Sequence, residues 1–503
     1  MAHTTHYDVL IIGAGLSGIG TACHIRKEHP QRSLAIIERR ARLGGTWDLF
    51  RYPGIRSDSD MASFGFRFKP WTSDKVLADG PSIRQYITET AQEYGLDERI
   101  HYGLQITAAN WCSAEQQWQL TATEEASGTQ RHYRCNFLLN CTGYYNYDAG
   151  YRPQFAGEAD FGGRIVHPQH WPQDLDYAGK RVVVIGSGAT AMTLVPAMAD
   201  KAARVTMLQR SATYVLSLPN RDAMAVALGR VLPASWAYRI IRARNIAFQR
   251  GLYLACRRWP QLMRRFLLSR TRKALGPDAD MRHFTPKYMP WDQRLCAVPD
   301  GDLFNALREG RAQMCTDEIE RFTAEGIRLR SGATLPADII VTATGLDVQM
   351  LGGLELSVDG RKTPLREQMI YRSILVQDVP NFAWIFGYTN APWTLKSDIA
   401  GRYVCRLLRH MDARGLAAAT PRDRENAGSS EGILDSLQAG YVQRARHRLP
   451  RQGRKAPWAV EMHYGRDKRA LLKGAVDDGV MEFTARREAV PGDAALAAAG
   501  EPA

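Results

Sequence analysis

Tyr7-Asp8-Val9-Leu10-Ile11-Ile12-Gly13-Ala14-Gly15-Leu16-Ser17-Gly18 joins an apolar run, read as a buried strand, to the spacing Gly13-x-Gly15-x-x-Gly18 at the start of a helix. Each glycine has a mechanical job. The first makes the tight turn, the second lets the backbone approach a pyrophosphate held at the helix N-terminus, and the third allows close helix packing. A second strand, Ser33 to Ile37, ends in Glu38, about 20 residues past the glycines, where a carboxylate can accept hydrogen bonds from a ribose. Strand, glycines, helix, strand and acid in that order predict a nucleotide site rather than an ordinary packed β-α turn.

The pattern occurs twice. Arg181 to Ile185 reads as a strand and runs into Gly186-Ser187-Gly188-Ala189-Thr190-Ala191, with alanine in the last glycine's place, which the pattern permits. The following strand, Arg204 to Leu208, ends in Gln209-Arg210-Ser211, without the carboxylate that an NAD site places there. A guanidinium at this point holds a 2′-phosphate, so the second site is expected to take NADPH; the plainer alternative is a solvated surface arginine. The expected fold is therefore α/β with two Rossmann-like dinucleotide-binding domains, and two such sites in one chain imply electron transfer between two cofactors.

Composition narrows the class further. A chain of 503 residues is long enough for two or three domains. Eight cysteines, at 23, 112, 135, 141, 256, 296, 315 and 405, form no C-x-x-C pair and no zinc spacing, so no metal is expected. A disulfide reductase on the same two-nucleotide plan would need such a pair beside its flavin and is disfavoured. Scattered cysteines fit a reducing compartment, no apolar run reaches spanning length, and the N-terminus lacks a basic region before its apolar segment, so a cytoplasmic protein is expected.

The net charge of +14 is concentrated, with no acidic residue between Asp222 and Asp278. Over Tyr238 to Leu275, arginines alternate with apolar residues at helical spacing. The first reading is a helical insertion whose apolar stripe covers the core while its arginines face water. The second is weak attachment to an anionic membrane surface, or an oligomer contact. Nothing resembles a nucleic-acid-binding motif.

Asn136-Phe-Leu-Leu-Asn-Cys-Thr-Gly143 and Asp338-Ile-Ile-Val-Thr-Ala-Thr-Gly345 echo each other as buried strands ending in Thr-Gly. In two-dinucleotide flavoproteins such strands mark where the chain leaves and re-enters the FAD domain. The expected division is a discontinuous FAD domain, 1–150 and 335–503, with an NADPH domain at 151–334 that carries the basic helical insertion at about 222–290. Gly415 to Gly432 reads as a surface loop and Pro491 to Ala503 as a frayed end.

Gly44-Gly45-Thr46-Trp47 resembles the motif that follows the acid in two-dinucleotide flavoproteins and implies FAD at the first site. Between the two fingerprints, Phe161-x-Gly163-x-x-x-His167-x-x-x-Trp171-Pro172 resembles, at every defined position, the fingerprint of Baeyer-Villiger monooxygenases. The sister flavin-containing monooxygenases end it in Tyr-Lys or Tyr-Arg. Trp47 to Asp60, Gly143 to Tyr147 and Trp291 to Cys296 resemble the branch containing the ethionamide-activating monooxygenases of mycobacteria.

The resemblance implies that NADPH reduces FAD, that dioxygen adds at flavin C4a, and that the peroxyflavin attacks a ketone to give an ester or lactone. S- or N-oxygenation of sulfides or thioamides by the same species is the alternative. A nucleotide-regulated binding protein at the membrane is a third reading, supported only by the basic segment. By the same resemblance Arg294 is the catalytic arginine and Asp58 its paired carboxylate; the plain readings are a surface arginine and a helix cap. Gly45, Thr46, Trp47, Asp48, Arg56, Ser57 and Asp58 are expected around FAD together with Gly13, Gly15, Ser17, Gly18 and Glu38. Gly186 to Ala191 and Gln209, Arg210 and Ser211 are expected around NADPH. Gln293 stands where family members carry a phosphate-binding lysine, which shifts that duty to Arg210. His167 is expected to hold the two nucleotide domains in register rather than to act as acid or base.

Overall fold

Apolar runs that are too short for helices and open onto glycines become the central, parallel strands of two sheets in the computed structural model, which describes residues 4–293, 295–435 and 437–487. In chain order the strands are Thr5–Ile12 (β1), Leu34–Glu38 (β2), Ile100–Tyr102 (β3), Leu104–Cys112 (β4), Gln117–Glu124 (β5), Gln130–Asn140 (β6), Arg164–Val166 (β7), Arg181–Ile185 (β8), Arg204–Gln209 (β9), Ala312–Thr316 (β10), Ile339–Thr342 (β11), Glu355–Val358 (β12) and Phe382–Trp384 (β13). The helices used below are Leu16–Glu28 (α1), Ala189–Ala199 (α2), Ala223–Val231 (α3), Ala234–Arg258 (α4), Pro260–Leu275 (α5) and Trp393–Ala413 (α6).

In the first sheet β3, β2, β1, β6 and β13 lie side by side and parallel. Strands β5 and β4 continue it antiparallel from β6, and β12 pairs with β4. The second sheet has the order β10-β9-β8-β11-β7, parallel throughout. Sheets of this kind are stable only with both faces covered. Val9 to Ile12 of β1 and Val182 to Ile185 of β8 are accordingly buried on both sides. Each such aliphatic side chain contributes about 1.5–3 kcal/mol through burial. Helices α1 and α6 cover one face of the first sheet, and Trp111, Trp118 and Trp384 fill the other.

Two expectations are corrected here. The Thr-Gly strands are not the exit from and return to one sheet: β6 belongs to the first sheet, β11 lies between β8 and β7 in the second, and the chain rejoins the first sheet only at β12. Each sheet needs a parallel neighbour on the far side of its fingerprint strand, and each of the two echoing sequences supplies one. Nor is Gly415 to Gly432 a loop throughout. Leu416–Pro421 is a strand paired antiparallel with Met481–Ala485, and Ala418 to Pro421 are buried. Its alanines are small side chains packed into the core rather than low-complexity filler. Pro491 to Ala503 lie outside the described residues.

The basic segment folds into α3, α4 and α5. Helix α4 is fixed to the first sheet's domain by Arg242, whose guanidinium donates to the carbonyls of Ala62, Ser63 and Gly65 at 2.7–2.9 Å. Tyr238 one turn earlier donates to Phe66 O at 3.0 Å. Among the described residues no helix is long and apolar enough to cross a membrane.

Candidate active site

Both fingerprint turns open on one cleft of about 1050 Å³, Gly13, Gly15 and Ser17 on one wall and Gly186 to Thr190 on the other. The first glycine of each is imposed by the protein. Gly13 has φ +100° and Gly186 φ +141°, and a Cβ would stand 2.8 Å from Cys141 O in one case and 2.3 Å from Ala343 O in the other. Those carbonyls immediately follow β6 and β11, so the two echoing strands close the two turns in the same way. Gly18 is imposed as well, since its Cβ would lie 1.9 Å from Gly13 O. Ala191 takes that place in the second turn and is buried, away from the cleft lining.

The middle glycines differ. A Cβ on Gly15 would come no closer than 3.5 Å to any atom, and one on Gly188 would meet nothing within 4 Å. The space they leave is cleft. Helices α1 and α2 start at these residues with no side-chain cap and no acid in the first turn. Their first amide N–H groups and the positive ends of their dipoles therefore face the cleft, an arrangement suited to a pyrophosphate at each turn.

Around the first turn, Gly44 donates to Ala14 O at 3.0 Å and ties the Gly44-Gly45-Thr46-Trp47 loop to the fingerprint. Gly45, Thr46 and Trp47 line the cleft. Glu38 is buried and accepts from the amides of Ala14 at 2.7 Å and Arg40 at 2.9 Å; burial raises its carboxyl above the usual carboxylate range. Ser17 accepts a 2.7 Å hydrogen bond from Trp393 Nε1, which brings the start of α6 to the same wall. Asp48 is placed differently from expectation. It is buried behind the wall among Arg40, Arg42, Arg51 and Arg84 at 2.8–3.3 Å, and is absent from the cleft lining. Arg56, Ser57 and Asp58 line the cleft; Arg56 pairs with Asp302 at 2.6 Å, Ser57 Oγ donates to Ser59 O, and Asp58 is exposed.

At the second turn, Arg210 and Ser211 reach the cleft at the end of β9 and are exposed. Gln209 turns inward, its amide donating to His283 O at 2.7 Å and Thr316 Oγ1 at 2.9 Å, and is not part of the lining.

Residues 75–226 match the flavin-binding monooxygenase-like family, and residues 11–74 match the NAD(P)-binding Rossmann-like domain. The chain is 60% identical over 484 residues, 95% of its own length and 98% of the other, to the putative FAD-containing monooxygenase MymA of Mycobacterium tuberculosis. This chain belongs to the flavin-binding monooxygenases. It is 49% identical over 485 residues, 96% of its length and 99% of the other, to the FAD-containing monooxygenase EthA of the same species. The fold matches a crystal structure of OTEMO in complex with FAD and NADP with a TM-score of 0.76 at 19% identity, over 96% of this chain and all of that one. The enzyme is thus a flavin-dependent monooxygenase.

The stretch Phe161 to Pro172 forms an edge strand and the turn after it. Phe161 packs on Phe322 beside the second sheet. Gly163 lets β7 approach, since a Cβ there would stand 2.3 Å from Asp338 O. Trp171 packs against the other face of that sheet, and Pro172 follows it, half-buried. His167 lines the cleft, its ring against Gly150, whose Cβ would meet His167 Cε1 at 2.0 Å, and its Nδ1 accepts from Gln169 N at 3.2 Å. Burial, followed by the neighbouring His170, lowers its pKa.

Arg294 lies outside the described residues. Its neighbours Gln293 and Cys296 line the cleft, as does Asp58. Sequence reasoning missed an aromatic wall of Tyr144, Tyr145, Tyr147 and Tyr151, and the segment Gln438 to Arg444. Arg444 stacks on Tyr151 with its guanidinium 3.5 Å from the ring centroid. The run Tyr144-Tyr145-Asn146-Tyr147 directly after a Thr-Gly strand was a usable signal; Arg444, with no motif around it, gave none.

Proposed function

We propose that the enzyme inserts one oxygen atom from O2 beside a ketone carbonyl, giving an ester or lactone, with FAD at the first turn and NADPH at the second. The observation that carries this reading is the single cleft shared by two uncapped helix N-termini whose middle glycines face open space. Ketone, O2, NADPH and a proton become ester, NADP+ and water. Bound FAD would supply the dioxygen chemistry and NADPH the electrons.

In this reading the FAD unit is built on the first sheet, from residues 1–150 and the C-terminal part. The NADPH unit is residues 151–334 extended through β11. Gly13, Gly15, Ser17 and Gly18 form the first pyrophosphate turn, Glu38 accepts from the ribose through its free lone pairs, and Gly45, Thr46, Trp47, Arg56 and Ser57 border the FAD. Gly186 to Ala191 form the second turn, and Arg210 with Ser211 holds the 2′-phosphate. Asp48 and Gln209 act from behind the wall, fixing the loops that carry Thr46 and Arg210. Asp58 orients the Arg294 guanidinium, which stabilises negative charge developing on the carbonyl oxygen. His167 holds the 150 and 345 segments rather than moving protons. Eight cysteines without a disulfide fit the reducing cytoplasm as its compartment, with contact at the membrane face.

Arg294→Ala and Asp58→Asn test the assignment. Each is expected to abolish or reduce ester formation at least tenfold, about 1.4 kcal/mol, with FAD still bound. Unchanged turnover in both would remove them from the reaction.

A further inference from the structure

Among the described residues, ten of the eleven exposed large apolar side chains fall between Met224 and Phe266, in α3, α4, α5 and their connections. A surface helix ordinarily turns its apolar stripe inward. Helix α4 buries Tyr238, Ile241 and Cys256 on its inner face, yet presents Trp236, Ile240, Ala243, Ala247, Gly251 and Leu254 outward, at intervals of three and four residues. Phe248 beside this stripe is 60% exposed, and on α5 Leu262 is 62% exposed with Phe266 one turn on. The first sequence reading, in which the apolar stripe covers the core and arginines alone face water, describes only half of this helix.

The charges around the stripe are of one sign. No acidic residue lies between Asp222 and Asp278. Of the segment's arginines, Arg244 and Arg257 form ion pairs among the described residues, with Asp222 and Asp292. Arg239, Arg258, Arg265 and Arg270 are exposed beside the apolar residues, and Arg239 stacks on Trp236 at 5.2 Å. Trp236 and Trp259, near the two ends of α4, are 58% and 56% exposed. Indoles with one apolar and one polar side settle at a membrane-water boundary.

We propose that the outer face of α4 and α5 docks on an anionic lipid surface, with the helices lying in its plane. Apolar side chains enter the headgroup boundary while the arginines meet lipid phosphates. A second copy of this chain fits less well. A two-fold interface sets a patch against itself, and here that would face an arginine-rich surface with another. The proposal extends the membrane contact suggested above and is independent of which substrate the cleft oxidises.

Cosedimentation of the FAD-loaded full-length enzyme with phosphatidylcholine vesicles containing about 30 mol% phosphatidylglycerol, and with pure phosphatidylcholine vesicles, tests it. Binding is expected to the anionic vesicles at about 50 mM salt, with at least a tenfold loss at about 500 mM. Phe248→Ser with Leu254→Ser, and separately Arg258→Glu with Arg265→Glu, should each weaken it at least tenfold while leaving NADPH oxidation and melting temperature unchanged. Equal binding to both vesicle types, or none to either, would overturn the proposal. So would a dimer, seen by sedimentation velocity, that dissociates in the Phe248→Ser, Leu254→Ser variant without vesicle binding by the parent.

Discussion

Gly15 and Gly18 are three residues apart and serve different masters, which gives a sharp test of the first turn. Gly18→Ala puts a Cβ 1.9 Å from Gly13 O and is expected to prevent folding, whereas Gly15→Ala meets only ordinary contact at 3.5 Å and should fold but lose FAD. Gly188→Ala should likewise fold and keep FAD while its NADPH KM rises; flavin absorbance, melting curves and NADPH kinetics on the three variants separate these outcomes. Arg210→Ala is expected to raise the NADPH KM at least tenfold, about 1.4 kcal/mol, and an unchanged KM would take Arg210 out of the phosphate site. His167 predicts a pH effect. Burial lowers its folded pKa, so on acidification the unfolded chain takes up a proton first. The stability this group contributes is present above its unfolded pKa of about 6.5 and is lost as pH falls through the folded value. His101 and His283 shift in the same direction, so His167→Gln should flatten the acid decline in melting temperature without removing it.

Among the elements, the fingerprint strands were legible because a period-free apolar run ending in glycines has few other meanings. β8 runs from Arg181 to Ile185 as expected, and β2 is offset by one residue. What could not be read was partnership. Asn136 to Gly143 and Asp338 to Gly345 have the same local pattern, and only pairing, β6 with β1 and β11 with β8, shows that they serve separate sheets. Side-chain direction was equally hidden: Asp48 and Gln209 are adjacent in sequence to cleft residues yet point behind the wall. The motif around β7 shows the same limit, because Gly163 looks like a turn glycine and is instead a close approach to Asp338. Gly163→Ala is expected to cost about 1–3 kcal/mol, seen as a lowered melting temperature with FAD binding retained.

At the scale of the molecule, two sheets each carry one uncapped helix N-terminus to a common cleft, and Gln293 and Cys296 border it from the connection between α5 and the second sheet. The overall plan was legible because each nucleotide turn announces itself locally. The aromatic wall was signalled only by its tyrosine run after β6, and the Arg444 segment not at all, since it reaches the cleft only through tertiary packing. The most direct measurement is mass analysis of products formed by the purified yellow enzyme from 18O2, NADPH and a panel of ketones with a thioether. An ester or lactone carrying one 18O atom is the expected product; sulfoxide without ester across the panel would overturn ketone oxidation as the reaction of this cleft.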